Sequence, residues 1–202
     1  NSITGTYQKV GNWAGVTTEK KEGVYKKQKQ IKIVDLPGIY SFSAQSKDEK
    51  AVIDYVKSQK IDCIINVVDG TNLERNLYLT AMLSKLNIKT VLAVTFLDEL
   101  DKKNQKLDCD MLSKFFGVPV VQVSAVKNVN VDKLMDEAIS NTKIVKPLPT
   151  KTDKEVYSFI ENVIKRVLSI PKTPIRDSKV DKLLMGRFVG PIIFIAVIFT
   201  VY

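Results

Sequence analysis

Residues 31–38 read Ile31-Lys32-Ile33-Val34-Asp35-Leu36-Pro37-Gly38, and the fold turns on them. Three β-branched residues, Ile31, Ile33 and Val34, lead into Asp35, after which Pro37-Gly38 bends the chain sharply. The pattern predicts a buried strand that delivers one carboxylate to its C-terminal edge, followed by backbone free to approach a ligand. Open α/β sheets bind ligands off the carboxyl ends of their strands, so an acid in this place suits a Mg2+-phosphate group. The same residues also fit an Asp-Pro-Gly turn that holds nothing.

Downstream the pattern recurs. Residues 61–69 predict an apolar strand ending in Asp69, residues 89–95 (KTVLAVT) a second ending in Thr95, and residues 118–123 a third followed by Ser124-Ala125. Between the first two, leucines at 73, 77, 79, 83 and 86 mark a helical stripe that faces a sheet. Helices are also expected over about 47–58 and 131–139, with 101–103 a solvated helix or loop. Strands alternating with helices over 31–141 predict an α/β fold with a parallel sheet and right-handed crossovers. Residues 17–29 are charged around Gly23 and predict an exposed edge hairpin running into Ile31. Residues 1–5 read as the end of a helix closing at Gly5. Residues 11–17, with two glycines, a tryptophan and no apolar periodicity, read as a mobile loop with Trp13 as its anchor.

Composition narrows the function classes. In 202 residues, 45% of them hydrophobic, the chain can bury one full core and a small appendage. Thirty-one basic against 22 acidic residues leave +9, which suits an anionic partner and equally a lysine-rich surface kept soluble by charge. Histidine is absent, which removes the commonest metal ligand and general base. Cys63 and Cys109 form no spaced cluster, so neither a disulfide framework nor a zinc site is indicated. The chain begins with Asn and shows no signal peptide, and reads as a piece of something longer.

Two further stretches give the pattern a family. Residues 10–17 read Val10-Gly11-Asn12-Trp13-Ala14-Gly15-Val16-Thr17, and residues 67–77 read Val67-Val68-Asp69-Gly70-Thr71-Asn72-Leu73-Glu74-Arg75-Asn76-Leu77. Together with 31–38 they closely resemble the GTP-binding domain of the ferrous iron transport protein B family, bacterial iron transporters with a small GTPase joined to a membrane part. The resemblance runs from residue 1 almost to residue 202. It implies a P-loop-GTPase-like, mostly parallel sheet flanked by helices, with GTP or GDP as ligand and Mg2+ as cofactor.

Residue by residue, the resemblance makes Gly11, Asn12, Trp13, Gly15 and Val16 part of the first switch loop. Its threonine, Thr17 with Thr18 as the neighbouring alternative, would coordinate Mg2+ together with Asp35. Gly38 would meet the nucleotide, and residues 40–46 would be the second switch. The Thr95-Phe96-Leu97-Asp98 stretch matches the [N/T]-x-x-D pattern, in which the Asp98 carboxylate accepts hydrogen bonds from the guanine ring N–H and exocyclic amine. Thr95 makes fewer bonds than the usual Asn, so weaker guanine affinity is expected. The backbone of Ser124 and Ala125 would contact the guanine carbonyl. Ile39 stands where many GTPases place a water-orienting glutamine, and a branched alkyl group cannot do that work. No catalytic residue is assigned. Asn72, Glu74, Arg75 and Asn76 are explained as a polar, capped helix start.

The sequence also departs from the pattern. The phosphate-binding G-x-x-x-x-G-K-[ST] sequence occurs nowhere in these residues, nor does the strand before it, so impaired GTP binding is expected of this chain. After a linker at 143–153 with two prolines, one amphipathic helix at about 154–169 stands where the family has a helical domain. The expected divisions are 1–142, 143–153, 154–182 and 183–202. Residues 188–202 carry no charge and have Lys179, Lys182 and Arg187 on their near side. They predict the start of a first membrane span in a multi-pass protein of the cell (inner) membrane, with the preceding domain on the cytoplasmic side. Expected partners are guanine nucleotide, the protein's own membrane domain and membrane lipid, and no nucleic acid. Two other readings fit parts of the chain: a pseudo-GTPase interaction module, and a soluble ribosome-assembly GTPase, against which the apolar tail argues.

Overall fold

The computed structural model describes residues 2–5, 8–13, 19–41, 46–140, 143–148, 152–169 and 198. The chain divides into two units, Asn1–Ile170 and Pro171–Tyr202, and of the second only Ile198 is described. Apart from Ile198, the expected membrane segment lies outside the described residues, as do the basic stretch before it and the threonines at 17 and 18. Among those described, no helix is long and apolar enough to cross a membrane.

The first unit holds two three-stranded sheets. Strands β1 (Gln8–Asn12), β2 (Glu19–Tyr25) and β3 (Gln28–Asp35) form an antiparallel meander in that order. The second sheet is parallel: β4 (Ile64–Asp69) pairs with β5 (Thr90–Thr95), which pairs with β7 (Val120–Gln122). Between these strands run α1 (Lys47–Ser58), α2 (Leu73–Leu83), α3 (Leu97–Lys102), β6 (Lys106–Leu107) and α4 (Cys109–Phe116). Helices α5 (Val131–Ser140) and α6 (Asp153–Val167) and the short β8 (Leu168–Ser169) follow.

Strand β5 is central because it is apolar on both sides. Leu92 and Val94 join a core with Val68 of β4, Leu77 and Ala81 of α2, Leu112 and Phe116 of α4, and Ile160 and Val163 of α6. Val91 and Ala93, on the opposite face, pack with Val121 and with Leu134 of α5. A strand sandwiched between helices must be hydrophobic at every position, which is why the alternation expected of a half-buried strand is missing here.

Local chemistry sets the helix boundaries. Ser46 begins α1 with a reciprocal capping box, its hydroxyl accepting from the Glu49 N–H at 3.0 Å. Thr152 and Glu155 do the same for α6. Asp108 caps α4 through its carboxylate, which accepts from the Met111 N–H at 2.8 Å, and Gly117 closes the helix at φ 73°.

Several expectations shift. Residues 11 and 12 belong to strand β1, not to a loop: Gly11 lies opposite Lys20 and Asn12 opposite Glu19. An outer strand of an exposed meander needs no apolar alternation, so periodicity could not reveal it. Strand β3 begins at Gln28 rather than Ile31, the strand expected from residue 61 begins at Ile64, and α2 ends at Leu83, three residues short of the leucine stripe. Helix α4 and the β6–β8 pair were not anticipated. The Pro-containing stretch after α5 is fastened: Ile144 bridges to Lys89, Val145 is buried, and the Lys146 N–H donates to the Phe116 carbonyl at 2.8 Å.

Candidate functional site

Parallel pairing brings strand ends into line. Asp69 lies opposite Thr95 at the C-terminal ends of β4 and β5, and the Val123 N–H donates to the Val94 carbonyl at 2.8 Å just beyond β7. Thr95, Asp98, Ser124 and Ala125 therefore gather at one edge of the parallel sheet, the edge where such sheets take ligands.

The edge is tightly built. The Gly70 N–H donates to the Thr95 carbonyl at 3.0 Å, and a Cβ on Gly70 would stand 2.9 Å from that same oxygen. No other residue fits there without moving backbone, which explains the glycine after Asp69. Thr95 Oγ1 donates to the Val68 carbonyl at 3.3 Å, so its hydroxyl ties β5 to β4. Asp69 accepts from both the N–H and the hydroxyl of Thr71, at 2.8 and 2.7 Å, and is occupied by its own turn. Phe96, exposed and in the left-handed region at φ 58°, turns the chain into α3, whose second residue is Asp98.

A lysine joins the two loops of this edge. Lys127 Nζ lies 3.1 Å from Asp98 Oδ2, and this bond, with the ammonium charge behind it, holds the Asp98 carboxyl below the usual carboxylate range. The loop that presents Lys127 is closed on itself. Ser124 and Val129 exchange backbone hydrogen bonds at 3.2 and 2.9 Å, and Asn128 and Asn130 take positive φ of 51° and 57°. Asn tolerates that backbone better than most residues. Neither Lys127 nor the left-handed Phe96 was legible beforehand: a single lysine among 31 basic residues gives no signal.

Asp35 ends β3 in the other sheet, exposed, and Gly38 follows in open chain with nothing within 4 Å of where its Cβ would be. Backbone there has free space around it. No strand ladder joins Asp35 to the Asp98 edge among the described residues. Gly15, Val16 and Thr17 lie outside the description. Trp13 is buried, edge-to-face on Tyr55 of α1 at 5.0 Å, with the Lys20 ammonium 5.2 Å from both ring centres. Among the described residues no three or more acidic or sulfur side chains cluster as a metal cage. An exposed acid beside free backbone suits Mg2+ instead, which keeps waters and arrives with phosphate oxygens.

Comparison with known proteins gives the family. Residues 1–138 match the family described as "Ferrous iron transport protein B". A curated relative from Helicobacter pylori, named Fe(2+) transporter FeoB, is 34% identical over the whole of this chain, and one of the same name from Escherichia coli is 43% identical over 66% of it. The chain spans only 34% and 18% of the lengths of those two relatives. Among solved structures, a GDP-bound mutant of the S. thermophilus FeoB G-domain is similar with a TM-score of 0.74 and 32% identity, over 83% of this chain and 92% of that one. The T. maritima FeoB cytosolic domain in its GMPPNP form gives 0.72 and 29%, over 84% and 92%. The L. pneumophila FeoB cytosolic domain gives 0.75 and 26%, over 84% and 93%. Sequence over two thirds of the chain and fold over most of it agree: this chain belongs to the ferrous iron transport protein B family.

Proposed function

We propose that this chain is the cytoplasmic guanine-nucleotide domain of a ferrous iron transporter, in which GTP binding and hydrolysis regulate iron uptake. The observation that supports it best is the meeting of Thr95, Asp98 and Ser124-Ala125 at the C-terminal edge of the parallel sheet, the two loops joined by the Lys127–Asp98 bond of 3.1 Å. Asp98 would read the guanine N–H groups, and Ser124 and Ala125 would meet its carbonyl through their backbone. Mg2+, when bound with nucleotide, would shield phosphate charge; Asp35 and Thr17 are the residues to hold it.

Residues 1–202 by themselves bind GTP weakly on this reading. The sequence holds no phosphate-cradling G-x-x-x-x-G-K-[ST], and each charge-assisted hydrogen bond such a loop supplies is worth about 1.5–3 kcal/mol. Titration of a fluorescent GDP analogue with Mg2+ tests both statements. Weak binding competed by GDP and not by ADP is expected, with the preference lost in Asp98→Ala. Equal competition by ADP removes Asp98 from the base site, and tight binding, about micromolar or better, overturns the weak-binding statement.

Residues 183–202 are proposed as the start of a membrane span that places the domain on the cytoplasmic face of the cell membrane. The support is their uncharged run behind a basic flank. Sedimentation should show association without detergent that is lost when the chain ends near residue 182. A monodisperse full chain in plain buffer refutes this placement.

A further inference from the structure

The helix start at residues 72–76 is a polar run whose ordinary explanation is capping, and the structure does not bear that explanation out. The Asn72 side chain makes no capping hydrogen bond to α2, and Asn76 Nδ2 instead donates back to the Asn72 carbonyl at 2.7 Å. Arg75 points elsewhere. Its guanidinium carbon sits over the Tyr40 ring, 3.2 Å from the ring centre, well within cation–π range.

Tyr40 stands two residues beyond Gly38, in the segment that follows Asp35, and its ring is nearly half exposed. A large aromatic left on the surface would roam unless something held it. The next residue is held as well: Ser41 Oγ donates to Glu49 Oε1 at 2.6 Å, and Glu49 is the acid of the α1 capping box. The segment after Gly38 is thus fastened to α2 through Tyr40 and to α1 through Ser41.

We propose that Arg75 is a positioning residue, which acts through the face of Tyr40 to set where the backbone of residues 36–41 lies relative to the parallel sheet. This rests on the nucleotide reading only for its consequence. There, the resemblance that makes residues 40–46 a second switch would set the segment against the terminal phosphate of a nucleoside triphosphate, and Arg75 would govern discrimination between tri- and diphosphate without touching either. Arginine suits the task better than lysine because its flat group covers the ring, whereas an ammonium makes a single point contact.

Hydrogen exchange of the full chain in detergent, read on peptides covering residues 36–46, is the test. Arg75→Ala and Tyr40→Leu should each raise exchange there by about two- to fivefold, the size of an exposed cation–π contact. Tyr40→Phe, which keeps the ring, should leave it unchanged, and Arg75→Lys should fall between. Unchanged exchange in Arg75→Ala overturns the proposal. So does an equal rise across α2, which would mean that the helix itself had loosened.

A second arm adds GDP or a non-hydrolysable GTP analogue at millimolar concentration. Arg75→Ala should lower the ratio of triphosphate to diphosphate affinity and leave diphosphate affinity as it was, a split that loss of general stability would not produce. An unchanged ratio refutes the phosphate consequence. If no variant responds to either nucleotide, the nucleotide reading fails by itself, and the exchange result still decides whether Arg75 holds the segment.

Discussion

Strands β3 and β5 start from similar apolar runs and end in different surroundings. Every residue of β5 from Thr90 to Val94 is buried, with helices on both faces and a strand along each edge. Strand β3 has β2 on one edge only, and its Ile31, Ile33 and Val34 remain partly exposed. Strand β4 likewise has a partner on one edge only among the described residues, and its Val67 is 59% exposed. A hydrophobic run therefore specifies that a strand forms, and the neighbours supplied by the rest of the chain decide how much burial it gains. In this molecule Thr95 ends the fully covered strand β5, whereas Asp35 ends the partly covered strand β3.

The largest test of that contrast lies in the cores. Leu92→Ala should cost about 2–5 kcal/mol by urea denaturation, because the rigid surroundings of β5 leave a cavity. Ile33→Ala should cost about 1 kcal/mol or less, since much of its surface already meets water. Comparable losses would mean that the two sheets are equally supported, and the contrast would fall.

A smaller effect concerns the outer layer over the parallel sheet. Tyr78 of α2 donates its hydroxyl to Asp153 Oδ1 at 2.9 Å and stacks on Tyr157 of α6 at 4.8 Å. Burial, then the bond to Asp153, pushes its phenol up to about 12 from 10.0. A raised acid favours the protonated native form, so its contribution to stability is complete below pH 10 and is lost as pH rises towards about 12. Wild type should therefore lose more stability than Tyr78→Phe between pH 9.5 and 11.5, in about the range the two phenol values bracket. Identical slopes would show that the contact does not fasten α6.

Much of this was legible in the sequence, for reasons that can be named. Helix α1 runs Lys47–Ser58, as its residues predict, because the Ser46/Glu49 box is a local signal. Strand β5 and the edge bearing Thr95, Asp98 and Ser124 follow from an apolar run too long to be accidental, read with the motif after it. Strand β1 was hidden because an exposed outer strand follows no pattern. Helix α4 was overlooked although Asp108 and Gly117 mark both of its ends. The contacts that join separate stretches, Lys127 with Asp98 and Arg75 with Tyr40, depend on how the chain doubles back, and single residues do not announce that.

The left-handed turn at Phe96 has a consequence for evolution. A bulky side chain at φ 58° is held against its own preference, at a cost of about 1–3 kcal/mol, and the turn leads straight into α3, whose Leu100 is buried. Asp98 sits between them. Its position therefore rests on a strained turn and a buried anchor as well as on the Lys127 bond, and a packing defect beneath α3 would displace Asp98 before the domain unfolds. Under the guanine-reading role proposed for Asp98, selection would then act on core residues such as Leu100.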